Sequence, residues 1–325
     1  MSKQLMIWGS CLLLQLSVNS LCHAFTSKNT PQKQYDTEIS ALFQELAHQK
    51  PMRIGDKIAW ISKHWLNRPY KLYCLGEGPQ GDFDQRPIYR TDGFDCETFV
   101  DMSLALAFSK NLPQFKQNIK RIRYHDNVVD FVHRNHFTNI DWNKNNQKQG
   151  FIKDITSNIK SNHQILAIEN TIIIKKNQWY QQISSKRVYL IAHNPQLVNK
   201  KTRALHRQAQ LQGQFVSKIN YIPISSLYDK EEQPKLAIFY QIPHGAIIEI
   251  VTPNSDTEKL IGTNLDISHL GFALYKNKQL YFRNASMLNQ CVADEPLAVY
   301  LKKYLHSEKI KGIHIEMPLE QAALQ

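Results

Sequence analysis

The stretch Arg90-Thr91-Asp92-Gly93-Phe94-Asp95-Cys96-Glu97-Thr98-Phe99-Val100 decides how this chain is read. Asp95 is a favoured N-cap residue. The apolar positions after it, Phe99, Val100, Leu104, Leu106, Ala107 and Phe108, predict a helix over Cys96 to Ser109, ending before Pro113. Cys96 then falls in the first helical turn. There the unpaired backbone N–H groups and the helix dipole stabilise a thiolate, and the same N–H groups can face a developing oxyanion. A cysteine at such a loop-to-helix junction is a candidate nucleophile. The plainer alternative is a buried structural thiol.

Upstream, residues 67–95 carry Pro69, Gly76, Gly78, Pro79, Gly81, Pro87 and Gly93 and read as a long irregular loop of the kind that often carries function. Before it, Ile39, Leu42, Phe43 and Leu46, then Ile54, Ile58, Ile61 and Leu66, recur at helical spacing. Residues 25–36 are polar and aperiodic and read as a linker. Downstream the character changes. Ile172 to Ile174, Val188 to Ile191, Leu236 to Gln241, Ala246 to Val251, Ser268 to Tyr275, Gln279 to Arg283 and Gly312 to Met317 are strand-prone, with a short helix over Leu297 to Leu305. Residues 135–165 give no clear period. Helices first and strands later indicate an α+β fold with a mostly antiparallel sheet.

A nucleophilic thiol needs a base, and the base needs an orienting group. In Ile267-Ser268-His269-Leu270-Gly271-Phe272-Ala273-Leu274, alternation puts His269, Gly271 and Ala273 on one face and Leu270, Phe272 and Leu274 on the other. The small residues on the His269 face leave room for a helix or a substrate. With an even hairpin loop, either Asn277-Lys278 or Lys276 to Gln279, Gly271 lies opposite Asn284. His269 is then the diagonal neighbour of Asn284 on the same face, roughly 7–8 Å away. An odd loop would turn Asn284 away. The pattern permits a Cys–His–Asn set in which the amide fixes the imidazole tautomer.

The 325 residues are 42% hydrophobic and 21% charged, which excludes fibrous, disordered and polytopic membrane classes. The net charge of +12 suggests an anionic partner, but no basic run with interleaved aromatics points to nucleic acid. Lys3, the apolar stretch from Leu5 to Val18 and the small residue Ala24 read as a signal peptide over residues 1–24, so the chain is expected to be exported, periplasmic or secreted. No stable membrane insertion is expected after cleavage. Beyond the leader stand Cys74, Cys96 and Cys291, an odd number that leaves at least one thiol outside any intrachain bridge; Cys74 could bridge Cys291. His125, His133 and His136 lack metal-ligand spacing and are expected at the surface or the edge of the core. Glu97 and Asp101, one turn apart, read as a solvated face, with Asp101 able to line the mouth of a groove.

The segment from Asp92 to Asp101 resembles the nucleophile motif of the N-acetylmuramoyl-L-alanine amidase-like family, a bacterial group with an NlpC-type, papain-like cysteine hydrolase fold. Arg68-Pro69-Tyr70, Ile122-Arg123-Tyr124, Arg134-Asn135-His136-Phe137, Gly150 to Thr156, Tyr221-Ile222-Pro223, Gly245-Ala246-Ile247-Ile248 and Ile267 to Gly271 match in the same order. Together they run from about Ile39 to Pro318. The family often reads His-Ala-Ser where this chain reads Asn284-Ala285-Ser286, and an aspartate where it has Ala246.

The resemblance implies one papain-like domain with insertions over residues 37–325, its nucleophile at a helix N-terminus packed on the sheet. It implies Cys96 as nucleophile, His269 as base and Asn284 as orienting group, with Tyr70, Asp92, Asp95, Asp101 and Ser268 toward the substrate. The implied partner is peptidoglycan or its muropeptides, cut at the N-acetylmuramoyl–L-alanine amide without metal or organic cofactor. A γ-D-glutamyl–diamino acid endopeptidase, a cysteine hydrolase of other amides and a catalytically weak wall-binding relative are the alternatives.

Overall fold

A computed structural model describes residues 31–320 apart from residue 254; the expected leader lies outside the described residues. Four helices come first. They are α1 (Pro31–Ala47), α2 (Ile54–Lys63), α3 (Cys96–Ala107) and α4 (Leu112–Arg123). Helix α1 starts inside the segment read as a linker, because Tyr35 joins Ile39, Leu42 and Phe43 on one buried helical face. Asn111 caps α4 through Gln114 N–H, with a proline in its first turn.

A π-helical turn, Thr138–Asn143, runs into α5 (Lys144–Lys148), and β1 (Ile152–Asp154) follows. Then come the small hairpin β2 (Lys160–Ser161) and β3 (Gln164–Ile165), strand β4 (Ile168–Lys175), and helices α6 (Lys176–Gln182) and α7 (Pro195–Gln208). The remainder is β5 (Gln214–Pro223), α8 (Leu236–Phe239), β6 (Ala246–Val251), α9 (Glu258–Ile261), β7 (Ile267–Lys276), β8 (Gln279–Ser286), β9 (Cys291–Pro296), α10 (Leu297–Lys302) and β10 (Gly312–Pro318).

One sheet organises the chain, in the order β4-β5-β10-β6-β7-β8-β9 with β1 added on β10, and every pairing in it is antiparallel. Strand β6 is buried along its whole length, so both faces of the sheet are covered. Ile247, Phe272 and Leu274 pack under α1 to α4, while Ile248, Ile250, Ala273 and Phe282 pack under α8 and α10. Each of these Ile, Leu and Phe side chains contributes about 1.5–3 kcal/mol. The Phe99 ring meets Phe272 edge to face at 5.6 Å, which seats α3 on the Leu270–Phe272–Leu274 face. The helix that approaches the small-residue face of β7 is therefore α10.

Two expected strands are absent. Leu236–Phe239 is a helical turn that buries Ile238 and Phe239, and Val188 to Ile191 makes only an isolated bridge between Tyr189 and Asp84. Short apolar runs do not distinguish a buried turn from a strand.

The far edge of the sheet is stitched to the loop that precedes α3. Asn67 N–H donates to Val292 O (2.9 Å), Tyr70 N–H to Gln290 O (2.9 Å), and Val292 N–H to Arg68 O (2.9 Å). Cys291 stands in this seam beside Pro69, whereas Cys74 is buried in the loop. The two are free thiols, so the bridge between them is not made.

Register places His314 of β10 directly opposite Glu249 of β6, with Glu316 two residues along. All three are buried, and His314 Nε2 lies 3.1 Å from Glu316 Oε1. Against the cost of burial, these carboxylates hold the imidazole up at about 9, while burial raises both carboxyl groups. Each group binds its proton more tightly folded than unfolded. The share from His314 is complete below the unfolded histidine value and is lost as pH rises through about 9. The share from the two carboxyl groups is complete only below the unfolded carboxylate range and declines as pH rises out of it. The melting temperature is expected to fall between about pH 7 and 9.5, and Glu249→Gln to make that fall shallower. Parallel curves for the two proteins would exclude this assignment.

Candidate active site

The loop before α3 is fixed at both ends. Lys71 N–H donates to Phe94 O (2.9 Å) and Phe94 N–H to Pro69 O (3.1 Å), a short parallel bridge that sets Tyr70 beside the head of the helix. Gly93 is required at this crossing, since a Cβ there would lie 2.8 Å from Pro69 O. Asp95 closes a reciprocal capping box. Its carboxylate accepts from Thr98 N–H (2.9 Å), and Thr98 Oγ1 accepts from the Asp95 N–H (3.0 Å). Cys96 is the first residue of α3, as its position after the N-cap predicts.

A cavity of about 260 Å³ opens over this helix end, lined among others by Tyr70, Asp95, Cys96, Glu97, Ser268 and His269. Strands β7 and β8 are joined by Asn277-Lys278, both in the left-handed region (φ 49° and 64°), the even loop that the pairing requires. Phe272 opposes Arg283, and so Asn284 falls on the diagonal from His269. The His269 Nε2 and Asn284 Oδ1 atoms are 3.0 Å apart. An amide oxygen only accepts, so the proton sits on Nε2 and the Nδ1 lone pair is left as base. Gly271 allows this approach, because a Cβ there would stand 2.8 Å from that of Asn284. Burial pushes the His269 imidazole down to about 4, against the Asn284 hydrogen bond that raises it, so the ring is neutral near pH 7. The Tyr300 ring of α10 stands 6.4 Å from the His269 ring.

Two expected substrate residues are elsewhere. Asp92 does not line the cavity; it clasps Lys71 (2.7 Å) and Arg90 (2.5 and 2.6 Å), and despite burial these cations hold its carboxyl below the usual range. Asp101, only 1% exposed, lies behind the cavity, where it accepts from Trp142 Nε1 (2.7 Å) and faces Arg123 at 3.5 Å. Neither does Glu97 lie on a solvated face, for it turns into the cavity. Burial and the neighbouring Asp101 and Asp95 charges raise its carboxyl well above the usual range.

Residues the sequence reading did not place here complete the wall. The His136 ring lies tilted against Trp179, 4.7 Å between centroids, and burial next to Arg134 pushes its imidazole well down. Arg134 reaches into the protein to Glu77 and Asp84. Arg187 comes from the turn before Val188. Long-range placements of this kind leave no local periodic signal. Among the described residues, no cluster of three or more His, Cys, Asp or Glu is arranged to hold a metal ion, and no helix is long and apolar enough to cross a membrane.

A Legionella pneumophila structure, assigned to a domain family of unknown function, matches with 39% identity and a TM-score of 0.85, covering 90% of this chain and 98% of that one. An N-acetylmuramoyl-L-alanine amidase structure from Bacteroides uniformis shares the fold at 23% identity and a TM-score of 0.57, over 82% of this chain and 99% of its own. No curated protein matches. The sequence model of the N-acetylmuramoyl-L-alanine amidase-like family matches residues 60–307, and the chain belongs to that family.

Proposed function

We propose that this protein is an exported cysteine amidohydrolase of papain-like NlpC type, and that it cleaves the amide between N-acetylmuramic acid and L-alanine in peptidoglycan. The observation that carries the reading is the His269–Asn284 hydrogen bond, made in the wall of the cavity that Cys96 heads. In this mechanism the neutral imidazole of His269 takes the Cys96 proton at Nδ1. The sulfur forms a bond to the lactyl carbonyl carbon, and the carbonyl oxygen becomes an oxyanion held by N–H groups at the start of α3. His269 returns the proton to the nitrogen as the C–N bond breaks, and the L-alanyl amine leaves. Water, deprotonated by His269, then cleaves the thioester and regenerates the thiol.

Mass spectrometry of the products from purified peptidoglycan tests this, with residues 25–325 as the enzyme. Stem peptides beginning at L-alanine are expected, and Cys96→Ala is expected to release about 10⁴-fold less. Cleavage after D-glutamate would reassign the bond. Equal release by the two proteins would reject Cys96 as nucleophile. The amidase name of the family and its Bacteroides uniformis fold relative support the choice of bond. The net charge of +12 suits a polymer rich in carboxylates.

A further inference from the structure

Ionisable groups from several parts of the chain line the Cys96 cavity, and nearly all have partners within the protein. Arg123 faces Asp101 at 3.5 Å, and Arg134 is held by Glu77 and Asp84. Asp266 accepts from Asn139 (3.0 Å) and from Ser217, while Asp95 is the helix cap. Arg187 differs. Among the described residues no carboxylate lies at ion-pair distance from it, although it lines the same cavity as Cys96 and His269. Its guanidinium stacks 4.0 Å over the Tyr73 ring, with Trp179 at 6.0 Å. Tyr73 has φ 54°, a left-handed backbone that is uncommon for a side chain of this size. The loop thus spends strain to present a ring that orients the guanidinium.

The cavity's remaining carboxyl, Glu97, does not serve as counter-charge either. Glu97 is kept toward its protonated form by burial and by Asp101 and Asp95. Burial also lowers the basicity of Arg187, with Arg134 acting in the same direction and Tyr73 and Asp84 against it. A partly desolvated guanidinium without an answering carboxylate is costly, and a ligand that supplies the carboxylate recovers that cost through two parallel N–H···O bonds.

We propose that Arg187 is a specificity-determining carboxylate clamp, and that it takes the α-carboxylate of the γ-linked D-glutamate, one residue beyond the scissile L-alanyl amide. The identity of that carboxylate rests on the peptidoglycan reading above; the placement of Arg187 does not.

Calorimetric titration of Cys96→Ala protein with a soluble N-acetylmuramoyl tripeptide tests the clamp. The ligand is used both as the free D-glutamate acid and as its α-amide. The acid is expected to bind about 10- to 100-fold more tightly than the amide. Adding Arg187→Met is expected to remove that preference by weakening the acid form alone, and Arg187→Lys to retain part of it. Equal weakening of both forms would assign Arg187 a merely structural role and overturn the proposal, as would no change in either form or no binding of either. Selective binding of the acid by a protein whose wild-type form releases no stem peptide would leave the clamp standing and remove the hydrolase reading.

Discussion

Exchange of His269 for alanine is expected to lower kcat by about 10⁴-fold with little change in melting temperature. The ring sits in a cavity wall rather than in the apolar core, so its loss should be felt in the chemistry. A pH profile separates its role from a packing defect. Because burial holds the imidazole at about 4, the base form prevails through the neutral range. The wild-type kcat/KM is expected to fall only as pH drops toward about 4, where the ring takes up a proton and ceases to be a base. Asn284→Ala removes the hydrogen bond that favours the charged ring, so it should move that acid limb lower still, and cost about 10- to 100-fold in kcat by freeing the tautomer. A limb near the ordinary histidine value, unmoved by Asn284→Ala, would contradict the assignment.

Arg134→Met is expected to destabilise the fold by about 3–5 kcal/mol, measured by denaturant unfolding. The side chains of Glu77 and Asp84 are 0% and 4% exposed, and Arg134 reaches both. Burial already raises the Glu77 carboxyl against the lowering effect of Arg134. Without the guanidinium, Glu77 must stay buried as an unanswered charge or fold in its protonated form. Coupling Glu77→Gln to Arg134→Met should therefore recover part of the loss, since the neutral amide no longer needs the cation. Additive losses from the two changes would show that the pair does not act as a unit.

How far the sequence was legible depended on whether the signal was local. The start of α3 could be read because Asp95, Thr98 and the apolar positions behind them lie within a few turns of one helix. The Asn284 register could be read because a strand alternates with period two and the loop at Asn277-Lys278 has an even length. Glu97 and Asp101 were misread because carboxylates one turn apart look the same whether water or protein covers them. Here Trp142 and Arg123, from distant segments, cover Asp101. Arg187 could not be placed at all, since it ends a 3-10 turn just ahead of Val188 to Ile191, a run that reads as a strand and makes only an isolated bridge. The region of residues 135–165 defeated periodicity because it mixes a π-helical turn, a five-residue helix and very short strands.

The seam between β9 and the loop that carries Tyr70 has a consequence for how damage to this protein would present itself. An edge strand with open N–H and C=O groups is a template for pairing with a second chain. At the start of β9 the Val292 N–H and C=O are occupied by Arg68 and Asn67, and the Gln290 C=O just before the strand by Tyr70. Substitutions that loosen this loop would uncover the strand as they displace Tyr70. Their first symptom would be loss of soluble material by edge-to-edge aggregation, before any weakened turnover could be recorded.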